Sequence, residues 1–527
     1  MTERFDAIVI GSGFGGAVAA CRLAQKGMRV LILERGRRWR PADYPRTAED
    51  AWIWDENLPR VQNGWIDLRF FKNMAVAQGA GVGGGSLIYA NVSVEAQPEL
   101  FEKGWPSEIT FSELKPYYET VGKMLNLQVL PDNQLTQRFK LVREGAEKLG
   151  DLDRFAKLPL AVNFSDRWHY GLDDPFDERH SEPRVNDQGI HQGTCVHCGN
   201  CDIGCKVKAK NTLDFNYIAL AEQHGAEVRP LHRVSHLSRS GGEYTVHYDH
   251  IADLSFYPGT VKAPIVVLGA GSLGSTEILL RSRDQYRTLS GISDFLGKNW
   301  SANGDFLTPG FYDDPDRVRP SDGPTITCVI DYLDGSQAGE RFWIEDGGFP
   351  NALGNYLQER FRTGSFDPRV NLLLNELEGV VRRDDPLSGV MPWFAQGIDG
   401  GNGRLGLKRL WYAPWRVHLD LDWTAGPRTR SVIDAIAAQH RKLAEATGGK
   451  PWMPPTWDLF RFLITPHPLG GCNMSTDPKN GVVNHLGEVF GCPGLYVADG
   501  AILPTPIGRN PSRTIAALAE RISAHIE

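Results

Sequence analysis

No stretch of this 527-residue sequence approaches the roughly 18 consecutive apolar residues of a membrane span. Its most apolar run, residues 263–270, suits one short buried strand. A surplus of charge is missing as well: 57 Lys and Arg against 64 Asp and Glu leave a net charge of -7. With no basic run either, nothing in the sequence calls for a nucleic-acid partner. The first residues show no charged segment followed by an apolar core and a small-residue cleavage site, so a cytoplasmic location is expected. Cysteine is sparse, with 8 residues, and Cys21, Cys328, Cys472 and Cys492 are scattered; in that compartment a disulfide framework is excluded. Internal repeats and low-complexity tracts are lacking too.

Glycine, in contrast, is plentiful, with 57 residues beside 33 prolines. Apolar segments recur between them, so this load predicts tight turns and close backbone approaches rather than disorder. The length suits two or three domains.

Residues 5–10 read as a buried strand, 11–16 as a glycine turn, 17–26 as a helix, and 28–33 as a second strand ending at Glu34. The turn is G-x-G-x-x-G. Gly11 makes the tight bend, Gly13 lets the backbone approach a pyrophosphate with Phe14 and Gly15 beside it, and Gly16 lets helix and strand pack closely. The helix N-terminus offers free N–H groups to phosphate oxygens, and Glu34 would accept hydrogen bonds from ribose hydroxyls. The bland alternative is a glycine turn without ligand. A dinucleotide is the better reading, but this motif does not separate FAD from NAD.

Two further segments favour FAD. Gly81, Gly83, Gly84, Gly85 and Ser86 form a second glycine cluster whose backbone would come close to something flat or anionic, with Tyr89 and Asn91 just beyond. Asp499 and Gly500 end a strand that would deliver a carboxylate to a cofactor. Asn510 and Pro511 then open a C-terminal helix with Ile515, Leu518, Ile522 and Ile526 on one stripe, whose N-terminal dipole would face a reduced flavin. Val234 and Gly269 complete the expected cofactor-facing set.

Helices are expected at 112–125, 135–149, 213–224, 271–282 and 430–446, and strands at 227–231, 244–248, 262–269, 325–332, 369–377 and 416–421. The βαβ signatures are thus split along the chain. The expected fold is α/β: a discontinuous Rossmann-like FAD-binding domain (1–40, 70–95, 195–305 and 465–527) with an α+β substrate domain (41–69, 96–194 and 306–464) built around a mostly antiparallel sheet.

Cys195, Cys198, Cys201 and Cys205 occupy eleven residues in the spacing C-x2-C-x2-C-x3-C, that of half a bacterial ferredoxin. The favoured reading is an iron–sulfur cluster passing electrons to an external acceptor. Unligated thiols and zinc are the alternatives, zinc being cramped in so short a run.

Taken together, the runs Gly11–Val18, Gly81–Leu87, Gly104–Pro106, Gly269–Ser275, His467–Cys472 and Asn510–Pro511 resemble the glucose–methanol–choline (GMC) oxidoreductases, and within them the cholesterol-oxidase branch. The resemblance implies FAD, a bulky apolar alcohol as the small-molecule substrate, with a 3β-hydroxysteroid as best guess, and oxidation of its CH–OH group. It places His467 and Asn510 at the flavin face and implies a glutamate from the substrate domain, best matched by Glu345. Tyr89, Ala90 and Asn91 depart from the Asn-Gly-Gly of that branch. The chemistry agrees: an imidazole suits removal of a hydroxyl proton and an amide N–H suits a developing alkoxide. Asn510 before Pro511 is equally a plain helix start. A GMC dehydrogenase for another alcohol or terpenoid, or a flavoprotein with non-oxidative chemistry, are the alternative functions.

Overall fold

A computed structural model describes residues 3–44, 50–55, 58–363, 385, 387–410 and 413–527. Five short strands make a parallel sheet in the spatial order Glu227–Arg229, Val30–Leu33, Ala7–Ile10, Ile265–Leu268, Leu495–Val497. Four of them are buried almost throughout (Glu227–Arg229 is the exposed edge), as expected of strands covered on both faces. In chain order this is 3-2-1-4-5, so the order reverses between Ala7–Ile10 and Ile265–Leu268. A crevice for a ligand opens at the carboxyl ends of the strands at such a reversal.

The glycine turn sits there. Gly11 has φ +91°, and a Cβ on it would lie 2.5 Å from the carbonyl oxygen of Gly269 in the neighbouring strand end. A Cβ on Gly16 would lie 2.0 Å from the oxygen of Gly11. These two glycines are thus required by backbone packing alone. The helix Phe14–Gln25 begins three residues earlier than the sequence pattern suggests, because Phe14–Gly16 already belong to its first turn.

A second, six-stranded sheet is antiparallel, in the order Lys450–Pro451, Phe306–Phe311, Val390–Gly397, Glu340–Asp346, Cys328–Gln337, Phe155–Lys157. Alternation divides its faces. Cys328, Ile330, Tyr332, Phe342, Ile344 and Trp393 join the main core, against the helices Gln137–Leu149 and Pro427–Ala446. Val329, Leu333, Trp343 and Phe394 point the other way, into a smaller apolar cluster with Val92, Leu160 and Ile326. Glu345 and Gln396 share the parity of Trp343 and Phe394, so the sheet aims them toward that second side.

The expected strand at 244–248 is the middle of an antiparallel meander, His232–Ser240, Glu243–Ala252 and Ser255–Ala263. The expected strand at 369–377 lies outside the described residues. The expected helix at 213–224 is interrupted at Asn216, giving a short turn Leu213–Phe215 and a helix Tyr217–Gln223. The C-terminal helix Ser512–His525 is not a one-sided stripe: Ala516–Ser523 are all buried, and Ile515 faces a cleft. No helix among the described residues is long and apolar enough to cross a membrane.

Candidate active site

A cleft of about 850 Å³ runs from the strand-order reversal to the antiparallel sheet. Gly11, Gly13, Phe14, Gly15, Glu34, Gly84, Gly85, Tyr89, Val234, Gly269, Asp499, Gly500, Asn510, Pro511 and His467 line it. At its nucleotide end, Glu34 is buried and held in place: Oε2 accepts from the Ser12 amide at 3.1 Å and hydroxyl at 2.6 Å, and Oε1 from the Gly36 amide at 3.0 Å. Gly13 differs from its neighbours. A Cβ there would meet nothing closer than 3.9 Å, and the same holds for Gly85. Their open faces form a cradle that packing within the chain does not explain, and it fits a dinucleotide laid along the backbone.

Other expected cofactor residues lie off the cleft. Gly16 packs on Gly11, a Cβ on Gly81 would strike the Trp39 ring at 2.7 Å, and Gly83 turns back on Ser86 with φ +109°. The Ser86 hydroxyl donates to Gly83 O at 2.7 Å and accepts from the Leu213 amide at 3.0 Å, so it shapes the loop. Asn91 is fully buried at φ 68°, with both side-chain amide atoms unpartnered among the described residues. Asp499 lines the cleft, but its carboxylate is engaged: it accepts from Gly271 N at 2.8 Å, Ser275 Oγ at 2.5 Å and Ala501 N at 2.9 Å. It ties two loops together at the floor. Burial pushes its pKa to about 6, against those donors.

The other end of the cleft gathers the expected catalytic groups. His467, between two prolines, lines the wall, and its Nδ1 lies 2.9 and 3.1 Å from the two carboxylate oxygens of Asp305. Asp305 is fully buried and also accepts from the Thr465 hydroxyl at 2.5 Å; Thr465 Oγ in turn accepts the His467 amide at 2.9 Å. Burial raises the Asp305 pKa, with His467 the leading opposing influence. Asn510 is set by the loop before it: the Asn303 side chain accepts from Ile507 N and Gly508 N and donates to Arg509 O at 2.8 Å.

Glu345 belongs to a strand rather than to the glycine turn its sequence context suggests. It is fully buried, and Gln396 Nε2 donates to Oε2 at 2.9 Å. Burial pushes its pKa up to about 8; the Gln396 amide acts against this, Asp346 with it, the Asn510 side chain against and Asp305 with it. Glu345 Oε1 and Asn510 Oδ1 are both buried and unpartnered among the described residues. Asp305, Thr465 and Gln396 were not singled out in the sequence. The only signal for Asp305 is a lone acid entering the apolar strand Phe306–Phe311.

The iron–sulfur reading of Cys195, Cys198, Cys201 and Cys205 is not supported. Among the described residues no group of three or more His, Cys, Asp or Glu side chains is arranged to hold a metal ion. Cys195 Sγ accepts from the His197 amide at 3.3 Å and Cys205 Sγ from the Ala209 amide at 3.2 Å. Burial raises the thiol pKa of Cys195 and Cys198 and pushes that of Cys205 to about 12. The loop reverses at His197 (φ 55°), Gly199 (φ 67°) and Gly204 (φ 88°), and its side chains pack: Cys195 and Cys205 join Val92 and Leu160, while Ile203 sits with Trp39, Tyr44 and Trp65. The loop reaches the cleft wall through Asp202, while Cys195 and Cys205 serve the apolar packing behind it. Lys210 fastens this wall to the second glycine cluster, its Nζ donating to Leu87 O, Tyr89 O and Cys201 O at 3.1, 2.9 and 2.7 Å.

Residues 402–519 match the GMC oxidoreductase family model and residues 9–40 an NAD(P)-binding Rossmann-like domain. The chain is 33% identical to a cholesterol oxidase of Mycobacterium tuberculosis, over 99% of this chain and 91% of that protein. It is 30% identical to a cholesterol oxidase of Acinetobacter baumannii, over 99% of this chain and 94% of that one. Among solved structures, pyridoxine 4-oxidase from Mesorbium loti superposes with a TM-score of 0.66 at 17% identity, covering 98% of both chains, a likeness of fold.

Proposed function

The chain belongs to the GMC oxidoreductases, FAD-dependent enzymes that act on alcohols, and we propose that it oxidises a CH–OH group of a bulky apolar alcohol, with a 3β-hydroxysteroid as the leading substrate class. The 1–40, 70–95, 195–305 and 465–527 segments hold the cofactor; 41–69, 96–194 and 306–464 shape the substrate side. The observation that carries the reading is the convergence of a carboxylate-anchored His467 and Asn510 on one cleft, with the acid Glu345 buried behind Asn510.

FAD, when bound, supplies the hydride acceptor. Gly13, Gly85 and the N-terminus of Ser512–His525 would hold it, with Glu34 at its ribose. His467 does the proton chemistry. Its Nδ1 faces a carboxylate, so the hydrogen-bond network assigns the proton to Nδ1 and leaves the Nε2 lone pair for the substrate hydroxyl. Asp305 also stabilises the imidazolium that forms, as a positioning residue. The Asn510 amide steadies the alkoxide oxygen. Glu345, with a pKa of about 8, stays a neutral acid at pH 7 and can donate a hydrogen bond there. Ile88, Val92, Ile326, Phe349, Pro392 and Phe394 line the rest of the wall and suit an apolar body. Electrons then leave to dioxygen or another external acceptor.

Alcohol added without oxygen should bleach the bound flavin. His467→Ala should retain flavin and slow that bleaching about 10²- to 10⁴-fold; an unchanged rate sinks the base assignment.

A further inference from the structure

The chemistry above leaves one polar group on the cleft wall unused. Asp202 lies in the short turn Cys201–Ile203, and it lines the cleft beside Tyr89, Thr325, Ile326 and Phe349. Its backbone is fixed, the carbonyl accepting Trp65 Nε1 at 3.2 Å. Its carboxylate is not satisfied. Among the described residues the one hydrogen bond to it comes from the Thr325 hydroxyl at 3.5 Å, the outer limit for such a bond. The nearby ammonium of Lys210 has its three donors directed at the carbonyls of Leu87, Tyr89 and Cys201.

Asp202 and Lys210 are an acid and a base within electrostatic reach of one another, so their charges balance. Such a pair has no excess charge with which to attract a second cation, but it keeps free lone pairs facing an apolar chamber. Asp202 is half-buried, so a ligand that covers it without supplying a donor strips water from the carboxylate at a cost, and a ligand O–H avoids that cost.

The partner of Asp202 is also held rigidly. Arg138, fully buried, donates to the carbonyls of Asp322, Pro324, Thr325 and Gly347 and pairs with Asp346 at 3.0 Å. This clamps the segment that leads into the strand Cys328–Gln337 and presents Thr325 to the cleft. The partners of Asp202 (Thr325, Trp65, Lys210) are distinct from those of His467 (Asp305, Thr465), so the two sites read separate groups.

We infer that Asp202 and Thr325 form a recognition subsite for a second hydroxyl group of the alcohol substrate, separate from the CH–OH that is oxidised. The preferred substrate class is accordingly a bulky apolar diol rather than a mono-alcohol. This rests on the alcohol-oxidation reading and narrows it. A site built to bind a hydroxyl discriminates strongly against the analogue lacking it, because its own polar groups are then left unpaired.

The test uses FAD-loaded enzyme without oxygen and follows the second-order rate of flavin reduction. Two matched pairs serve as probes: a steroid 3β-alcohol with or without a second hydroxyl on its far ring, and an α,ω-alkanediol or the 1-alkanol of equal length. In at least one pair the diol should react about 10- to 100-fold faster. Asp202→Ala should bring the two rates together while the purified protein keeps its flavin spectrum, and Thr325→Val should narrow the gap. Equal rates in the unmodified enzyme, an undiminished preference in Asp202→Ala, or loss of flavin from that variant would each overturn the subsite. His467→Ala separates the readings: if it still bleaches flavin at the normal rate, or if no alcohol bleaches the unmodified enzyme, the oxidation reading fails first.

Discussion

The loop that carries His467 and the loop at 195–205 are both dense in reactive side chains, but different forces aim them. His467 is aimed from far away. Its ring is bound by Asp305, 162 residues earlier, and its backbone amide by Thr465, so the imidazole edge left over faces the cleft. Of the four cysteines, Cys195 and Cys205 pack beside Val92 and Leu160, and among the described residues the four are not arranged as a metal centre. Local spacing brings backbones together; it takes a partner with a reason to be there to point side chains at one spot.

The largest effect should follow from breaking the distant partner. Asp305→Asn keeps size but offers an amide where the carboxylate held Nδ1–H, which permits the wrong tautomer. The rate of flavin reduction should fall about 10²- to 10⁴-fold with the flavin still bound. Asp305→Glu, which restores a carboxylate, should recover part of the lost rate, a rescue that a merely structural role would not give. A drop of less than threefold in Asp305→Asn would place Asp305 outside the proton chemistry.

Next comes the contrast between glycines that serve the fold and those that serve the cofactor. Gly15→Ala would put a methyl 2.0 Å from Ala498 O, so the protein should lose thermal stability whether or not FAD is present. Gly13→Ala meets nothing within 3.4 Å in the chain itself, its nearest neighbours being at 3.9 Å. Its apoprotein should melt at the normal temperature and bind FAD at least about tenfold more weakly, equivalent to roughly 1.4 kcal/mol. Flavin titration followed by fluorescence distinguishes the two; normal affinity in Gly13→Ala removes the backbone cradle.

Much of this was legible from sequence, and for definable reasons. Strands at 7–10, 30–33 and 265–268 are continuous apolar runs next to glycine turns, so period and punctuation agree. His467 and Asn510 stand in short local motifs. Gly81, Gly83 and Ser86 look like ligand contacts because a glycine-rich stretch carries the same residues whether the close neighbour is a cofactor or, as here, Trp39 and the loop itself. Glu345 is followed closely by Gly347 and Gly348, a context that suits a turn, yet it lies in the strand Glu340–Asp346, whose alternation with Trp343 aims it inward. Asp305, Thr465 and Gln396 had no local pattern, since what defines them is a partner that only tertiary structure supplies. Asp202, set among cysteines, carries no local pattern of its own; its place on the cleft wall comes from tertiary structure.

A smaller effect should come from Glu345. Its pKa is raised to about 8 in the folded chain, against about 4.3 in an unfolded one. The folded state therefore holds a proton that the unfolded state releases, and the stabilisation is complete below about pH 4 and lost as pH rises toward 8. Glu345→Gln, which cannot ionise, should show a melting temperature that gains on the unmodified protein across that window. Its turnover should lose the decline expected above pH 8, where a carboxylate would face the developing alkoxide. Parallel melting curves from pH 5 to 8 would show that the group ionises freely.

The smallest effect belongs to the cysteine loop, and it tests the comparison from the other side. Cys198 is partly exposed, and its thiol pKa is raised by burial against the Asn200 backbone N–H. If the loop is a wall, Cys198→Ser replaces one small side chain with another and should leave flavin content and turnover within about twofold, the range of a surface substitution. Protein purified without oxygen should contain no stoichiometric iron. Loss of more than tenfold in transfer to an external acceptor, with flavin reduction by alcohol intact, would mean that these thiols converge on a centre after all, and that short-range spacing had been enough to build it.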